Sequence, residues 1–103
     1  MLTVTTKRDG DTSTVTIAGE IDLATSTRVN RELDMALERV PPPARLRVEL
    51  AEVPFMDTTG VAVLLKARRR ALELGCSFTV VSASPVIARL FEITGLTTLL
   101  SEA

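Results

Sequence analysis

With 103 residues, 46% of them hydrophobic, the chain has material for one core and not two: residues 1–103 read as a single globular domain able to bury about two-thirds of its unfolded surface, and disorder is excluded. Twelve basic residues against thirteen acidic ones give a net charge of −1, and three phenylalanines are the only aromatics, which argues against nucleic acid as a partner. The absence of histidine excludes a Ser-His-Asp triad, a His-based phosphotransfer site and most transition-metal sites; the lone cysteine, Cys76, makes no internal disulfide and fits a reducing cytoplasm, and no apolar run is long enough to insert in a membrane or has the form of a cleavable leader.

Leu2 to Lys7 and Thr12 to Ala18 alternate apolar residues with threonines and read as strands, and Asp9-Gly10 between them is a hairpin turn signal. After Gly19-Glu20-Ile21-Asp22 comes a helix, with Val29, Leu33, Ala36, Leu37 and Val40 repeating at three and four residues; Asp22, Thr25 and Ser26 are its candidate caps, and Pro41-Pro42-Pro43 ends it. Residues 45–51 alternate charged and apolar side chains as a half-buried strand does. A turn, Phe55-Met56-Asp57-Thr58-Thr59-Gly60, then leads into a helical pattern from Val61 to Leu74 that Gly75 closes. Its apolar positions are Val61, Leu64, Leu65, Ala71, Leu72 and Leu74, and Ala62, Lys66, Arg69, Arg70 and Glu73 fall on the opposite stripe. Cys76 to Ser82 is a further strand. Ser84-Pro85 opens a third helix, serine as cap and proline in the first position, with Ile87, Leu90 and Phe91 apolar and Gly95 at its end; Thr97 to Leu100 reads as a short last strand. Phe55, Phe78 and Phe91 are core candidates, and Cys76 a small buried residue.

The order is β-β-α-β-α-β-α-β, which makes an α/β fold with a mixed sheet: an antiparallel first hairpin and the remaining strands parallel through right-handed crossovers. Charge along one side of strand 45–51 predicts two layers, with helices mainly on one face of the sheet.

Two segments carry candidate chemistry. Asp57-Thr58-Thr59-Gly60 sits at the carboxyl end of a strand, where open α/β sheets place their ligands, and sets two hydroxyls beside the amides of a helix N-terminus, which favour a negative group such as phosphate. Gly19-Glu20-Ile21-Asp22 also follows a strand and precedes a helix, so the two turns share one edge if their strands are neighbours. Asp and Thr are also ordinary caps and Gly an ordinary turn residue, so each segment admits a structural reading beside the functional one. Lys66, Arg68, Arg69 and Arg70 form a basic cluster that reads as a solvated helix face or as one edge of a protein contact surface. No convergent acid, base and nucleophile is visible, so the chain does not read as an enzyme, and nothing in it calls for a cofactor.

Three blocks resemble the STAS domain, specifically the anti-sigma factor antagonists of bacteria: Gly19-Glu20-Ile21-Asp22, Phe55-Met56-Asp57-Thr58-Thr59-Gly60-Val61 and Phe91-Glu92-Ile93-Thr94-Gly95-Leu96, in family order and at family spacing. The resemblance implies that Thr58 is a phosphate acceptor, with Thr59 second, and that Glu20, Asp22, Asp57, Thr58, Thr59, Gly60, Ala62, Lys66 and Arg69 form the partner-binding surface. It implies an anti-sigma factor that is itself a serine/threonine kinase as partner, supplied with ATP, and a phosphatase that resets the site. The unphosphorylated form binds the anti-sigma factor and releases the sigma factor; phosphate switches binding off. The chain departs from the family pattern in carrying threonine where serine is usual. The same resemblance leaves a rival within the fold: an accessory subunit that docks on a bacterial lipid-transport ATPase without phosphorylation. A second rival, a two-component receiver phosphorylated on Asp57, needs an acidic pair after its first strand and a late lysine; Asp9 and Asp11 lie in a hairpin loop, and no lysine follows Lys66.

Overall fold

A computed structural model describes residues 1–39 and 41–100 of the chain. Strands β1 (Thr3–Asp9) and β2 (Thr12–Ala18) form the antiparallel hairpin, and Gly10 takes the left-handed conformation its turn requires, φ 63°. Helix α1 (Ser26–Arg39) crosses to β3 (Arg45–Glu52), which lies parallel to β2. Helix α2 (Thr58–Glu73) crosses to β4 (Ser77–Ala83), parallel to β3, so the sheet order is β1-β2-β3-β4. Helix α3 (Pro85–Thr94) packs on β4 and ends at Gly95, left-handed as a C-terminal glycine is.

Period-two alternation decides which side of the sheet is buried. Val15, Ile17, Leu46, Val48, Leu50, Phe78 and Val80 point inward, and Val29, Leu33, Ala36 and Leu37 of α1 join them in one core with Leu64 of α2 and Ile87 and Phe91 of α3. The opposite face carries Thr5, Lys7, Thr12, Thr14, Thr16 and Glu49 around an open hollow, where the Thr16 hydroxyl donates to the Glu49 carboxylate at 2.6 Å. The two-layer, mixed-sheet expectation is met.

Several sequence expectations are corrected. Residues 97–100 are a 3-10 turn and not a strand: the Leu96 amide returns to the Phe91 carbonyl at 2.7 Å, the Leu99 amide bonds the Leu96 carbonyl, and Leu99 is tucked into the core. Helix α2 begins at Thr58, three residues before its apolar pattern. Its buried stripe is Gly60, Leu64, Ala67 and Ala71, while Leu65, Leu72 and Leu74 are exposed. Arg70 stays exposed, as a solvated helix face requires, but leans toward α1, 3.5 Å from Asp34 and 3.7 Å from Glu38. Ser84 occupies the cap position of α3, but its hydroxyl donates to the Val53 carbonyl at 2.6 Å and caps nothing. Phe55 is 47% exposed and is no core residue. Val40, assigned above to the apolar face of the first helix, lies outside the described residues.

Candidate functional site

Because β2 and β3 are parallel neighbours, the segments that leave their carboxyl ends emerge at one edge. They continue side by side beyond the strands. The Gly19 amide donates to the Glu52 carbonyl at 3.1 Å, the Ile21 amide to the Phe55 carbonyl at 3.0 Å, and the Asp57 amide to the Ile21 carbonyl at 3.1 Å, which makes a parallel bridge between Ile21 and Met56. The strands are neighbours, the condition on which the sequence reading placed the two candidate turns at one edge, and the turns are in addition stitched together by these bonds.

Gly60 belongs to this seam. The sequence offers it as a turn glycine, but it lies inside α2 and serves close approach: a Cβ there would stand 2.4 Å from Met56 Cγ and 2.9 Å from Ile21 Cγ2. Removing the side chain lets the first turn of α2 settle onto the bridge.

Asp57 caps α2. Its carboxylate accepts from the Thr59 amide at 2.9 Å, from the Gly60 amide at 3.3 Å and from the Thr59 hydroxyl. These bonds, the Thr59 hydroxyl first, favour the charged form and hold the Asp57 carboxyl below the usual aspartate range against a smaller opposing effect of burial. The Thr59 hydroxyl is thus engaged and half-buried. Thr58, the first residue of α2, is exposed, and its hydroxyl has no hydrogen-bond partner among the described residues. Two adjacent threonines occupy different environments: one completes a cap and the other faces solvent at the positive end of a helix dipole.

On the neighbouring turn, the Asp22 carboxylate accepts from the Ala24 amide at 3.0 Å and the Thr25 amide at 3.1 Å, and so organises the approach to α1. The Thr25 hydroxyl donates to the Glu20 carbonyl at 2.9 Å, while Glu20 itself is exposed. Glu20, Asp22, Asp57, Thr58, Thr59 and Gly60 accordingly gather at one edge. Ala62 and Lys66 continue from Thr58 along α2 and border a groove of about 250 Å³ whose other wall is Ser26, Thr27 and Asn30 of α1. Arg69 stands apart. Eleven residues along the helix place it about 16 Å from Thr58, in a separate hollow with Leu65, Arg68 and Leu72.

The hairpin acids do not join the site. The register Thr12↔Arg45 puts Asp9 and Asp11 at the amino end of β3, the opposite end from Asp57. That removes Asp9 and Asp11 as the acidic pair a receiver would need beside Asp57, and among the described residues no three acidic side chains stand close enough to hold a metal ion. Two residues of the edge escaped the sequence reading: Leu23, 76% exposed, and Phe55. Leu23 lies outside the three-and-four spacing that begins at Val29, and this was the available signal that it does not face the core.

The chain matches the family model described as "Mlab, STAS domain" over residues 4–101. It is 36% identical over 90 residues to an anti-sigma-B factor antagonist of Listeria monocytogenes, covering 87% of this chain and 77% of that one. It is 33% identical over 95 residues to the anti-sigma-B factor antagonist of Bacillus subtilis, covering 92% and 84%. Among solved structures, an anti-sigma factor antagonist from Mycobacterium paratuberculosis superposes with a TM-score of 0.80 at 25% identity, over 95% of this chain and 81% of that one.

Proposed function

The chain belongs to the STAS domain family, and we propose that it is an anti-sigma factor antagonist whose docking is switched by phosphate on Thr58. In its unmodified form it binds an anti-sigma factor kinase through the edge that carries Glu20, Asp22 and Asp57 and along α2 through Ala62 and Lys66, and so releases the sigma factor. The kinase passes the γ-phosphoryl group of ATP to the Thr58 oxygen: the new bond joins that oxygen to phosphorus, ADP departs, and the hydroxyl proton goes to a base of the kinase. A phosphatase reverses the switch by hydrolysis to inorganic phosphate.

The observation that supports this reading above the others is the contrast between the two hydroxyls. Thr58 is exposed and uncommitted, whereas Thr59 is held by Asp57. Asp57 carries the turn and is not needed as a base. A phosphoryl group adds about −1.5 to −2 charges at neutral pH. The helix N-terminus favours such a group by about 1–2 kcal/mol, so the modified domain stays folded. The switch then acts at the interface, where burying a dianion without a partner charge costs several kcal/mol, about a hundredfold or more in affinity.

A second reading has one residue in its favour, the threonine in place of serine: the same edge docks on a lipid-transport ATPase subunit, and the hydroxyl is only a contact. Incubation with the anti-sigma factor kinase encoded in the same genome and ATP separates the two. Acid-stable phosphate on Thr58 by mass spectrometry, its loss in Thr58→Ala with binding retained, and weakened binding in Thr58→Glu support the switch. Phosphate on Thr59, or none, refutes it.

A further inference from the structure

We infer that Leu23 and Phe55 are the apolar anchors of the docking edge, and that they fit a protein partner presenting an apolar pocket rimmed by lysine and arginine. The inference rests on the proposed function and deepens it by naming the chemistry of the partner's surface.

Leu23 is 76% exposed and Phe55 47% exposed, one on each of the two stitched turns. Neither position is loose. Phe55 follows Pro54, accepts the Ile21 amide through its carbonyl, and is followed by Met56, which is buried in the bridge. Leu23 lies two residues past Ile21, whose carbonyl accepts the Asp57 amide, and inside the turn that the Asp22 carboxylate fixes through the Ala24 and Thr25 amides, which sets it beside the Thr58 turn. Apolar groups on rigid turns lose little conformational freedom on docking, and a few such residues dominate interface energies, aromatic ones above all.

Charge identifies the rim of the complementary surface. Residues 18–27 and 51–60 contain four carboxylates, Glu20, Asp22, Glu52 and Asp57, and no lysine or arginine. An acidic edge around two apolar residues selects a pocket ringed by cations and steers its approach. Thr58 shares the edge with both anchors and falls under the apolar floor of the pocket and not its cationic rim, so closure over it leaves neither water nor a partner charge to solvate a phosphate. The neutral hydroxyl is accommodated there and a dianion is not.

The test is titration calorimetry of the chain against the anti-sigma factor kinase encoded in the same genome, with Leu23→Ala, Phe55→Ala, Glu20→Lys and, as a control, Ile93→Ala on α3, which is 71% exposed. Leu23→Ala and Phe55→Ala are each expected to raise Kd about tenfold or more, the first with unchanged melting temperature and the second with a fall of only about 4–8 °C that leaves the domain folded in the assay, and Ile93→Ala to leave Kd within about twofold. Glu20→Lys and added salt are expected to weaken binding. Wild-type affinity in both anchor variants, an equal loss in Ile93→Ala, or tighter binding by Glu20→Lys overturns the inference alone. No binding by the wild-type chain overturns the proposed function and this inference with it.

Discussion

Gly60→Ala tests the seam on which the site is built. The added methyl carbon would sit 2.4 Å from Met56 Cγ and 2.9 Å from Ile21 Cγ2, about 1 Å inside ordinary contact. Neither neighbour has room to yield: Met56 is 4% exposed and Ile21 0%, and Ile21 is held through its own backbone by the bridge. Overpacking of this kind costs about 1–3 kcal/mol, and the confined surroundings favour the upper end. Replacing glycine in a helix returns at most about 1 kcal/mol. The net loss is therefore about 2 kcal/mol, which for a domain near this size lowers Tm by about 8–16 °C. Thermal melting by circular dichroism measures it, and urea titration should move the midpoint while leaving the slope unchanged. Gly10→Ala is the comparison: nothing lies within 4 Å of a Cβ there, so only the strain of φ +63° applies, about 1 kcal/mol. If Gly60→Ala melts at or above the wild type, the close approach of α2 to the Ile21–Met56 bridge is not what requires glycine, and the argument for a rigid edge fails.

Two further outcomes follow from the same geometry. The Asp57 carboxyl titrates below the ordinary 3.8 of an aspartate, so its cap contributes fully above that pH and is lost as pH falls through the lowered value; acid titrations of wild type and Asp57→Asn should converge at the acid end and differ at neutral pH. Phe91→Ala, at a site with 0% exposure, should cost about 3–5 kcal/mol by urea denaturation. The half-exposed Phe55→Ala should cost only about 1 kcal/mol, an inversion of the equal core roles their sequence context suggests.

Most of the architecture was legible because it rests on punctuation and period. Asp9-Gly10 marks the hairpin, the three prolines end α1, Gly75 and Gly95 close α2 and α3, and alternation in β2 and β3 separates the buried face from the bare one. Reading failed where size and not hydrophobicity decides. The buried stripe of α2 is mostly Gly60, Ala67 and Ala71, small residues that allow close packing and add little to an apolar pattern, so the larger Leu65, Leu72 and Leu74 drew the assignment to the wrong side. Thr97 and Thr98 favour a strand locally, but the left-handed Gly95 turns the chain back onto β4 before one can form. At the site, the juxtaposition of the two turns was foreseeable from strand order. The unequal standing of Thr58 and Thr59 was not, because it depends on which hydroxyl the Asp57 carboxylate reaches.

The bare threonine-bearing side of the sheet gives the molecule a back. Thr14 projects there from a central strand, away from the helical layer and from the seam at the strands' carboxyl ends. A fluorophore or surface tether attached at Thr14 leaves the docking edge unobstructed, so immobilised chains present one orientation to a soluble counterpart.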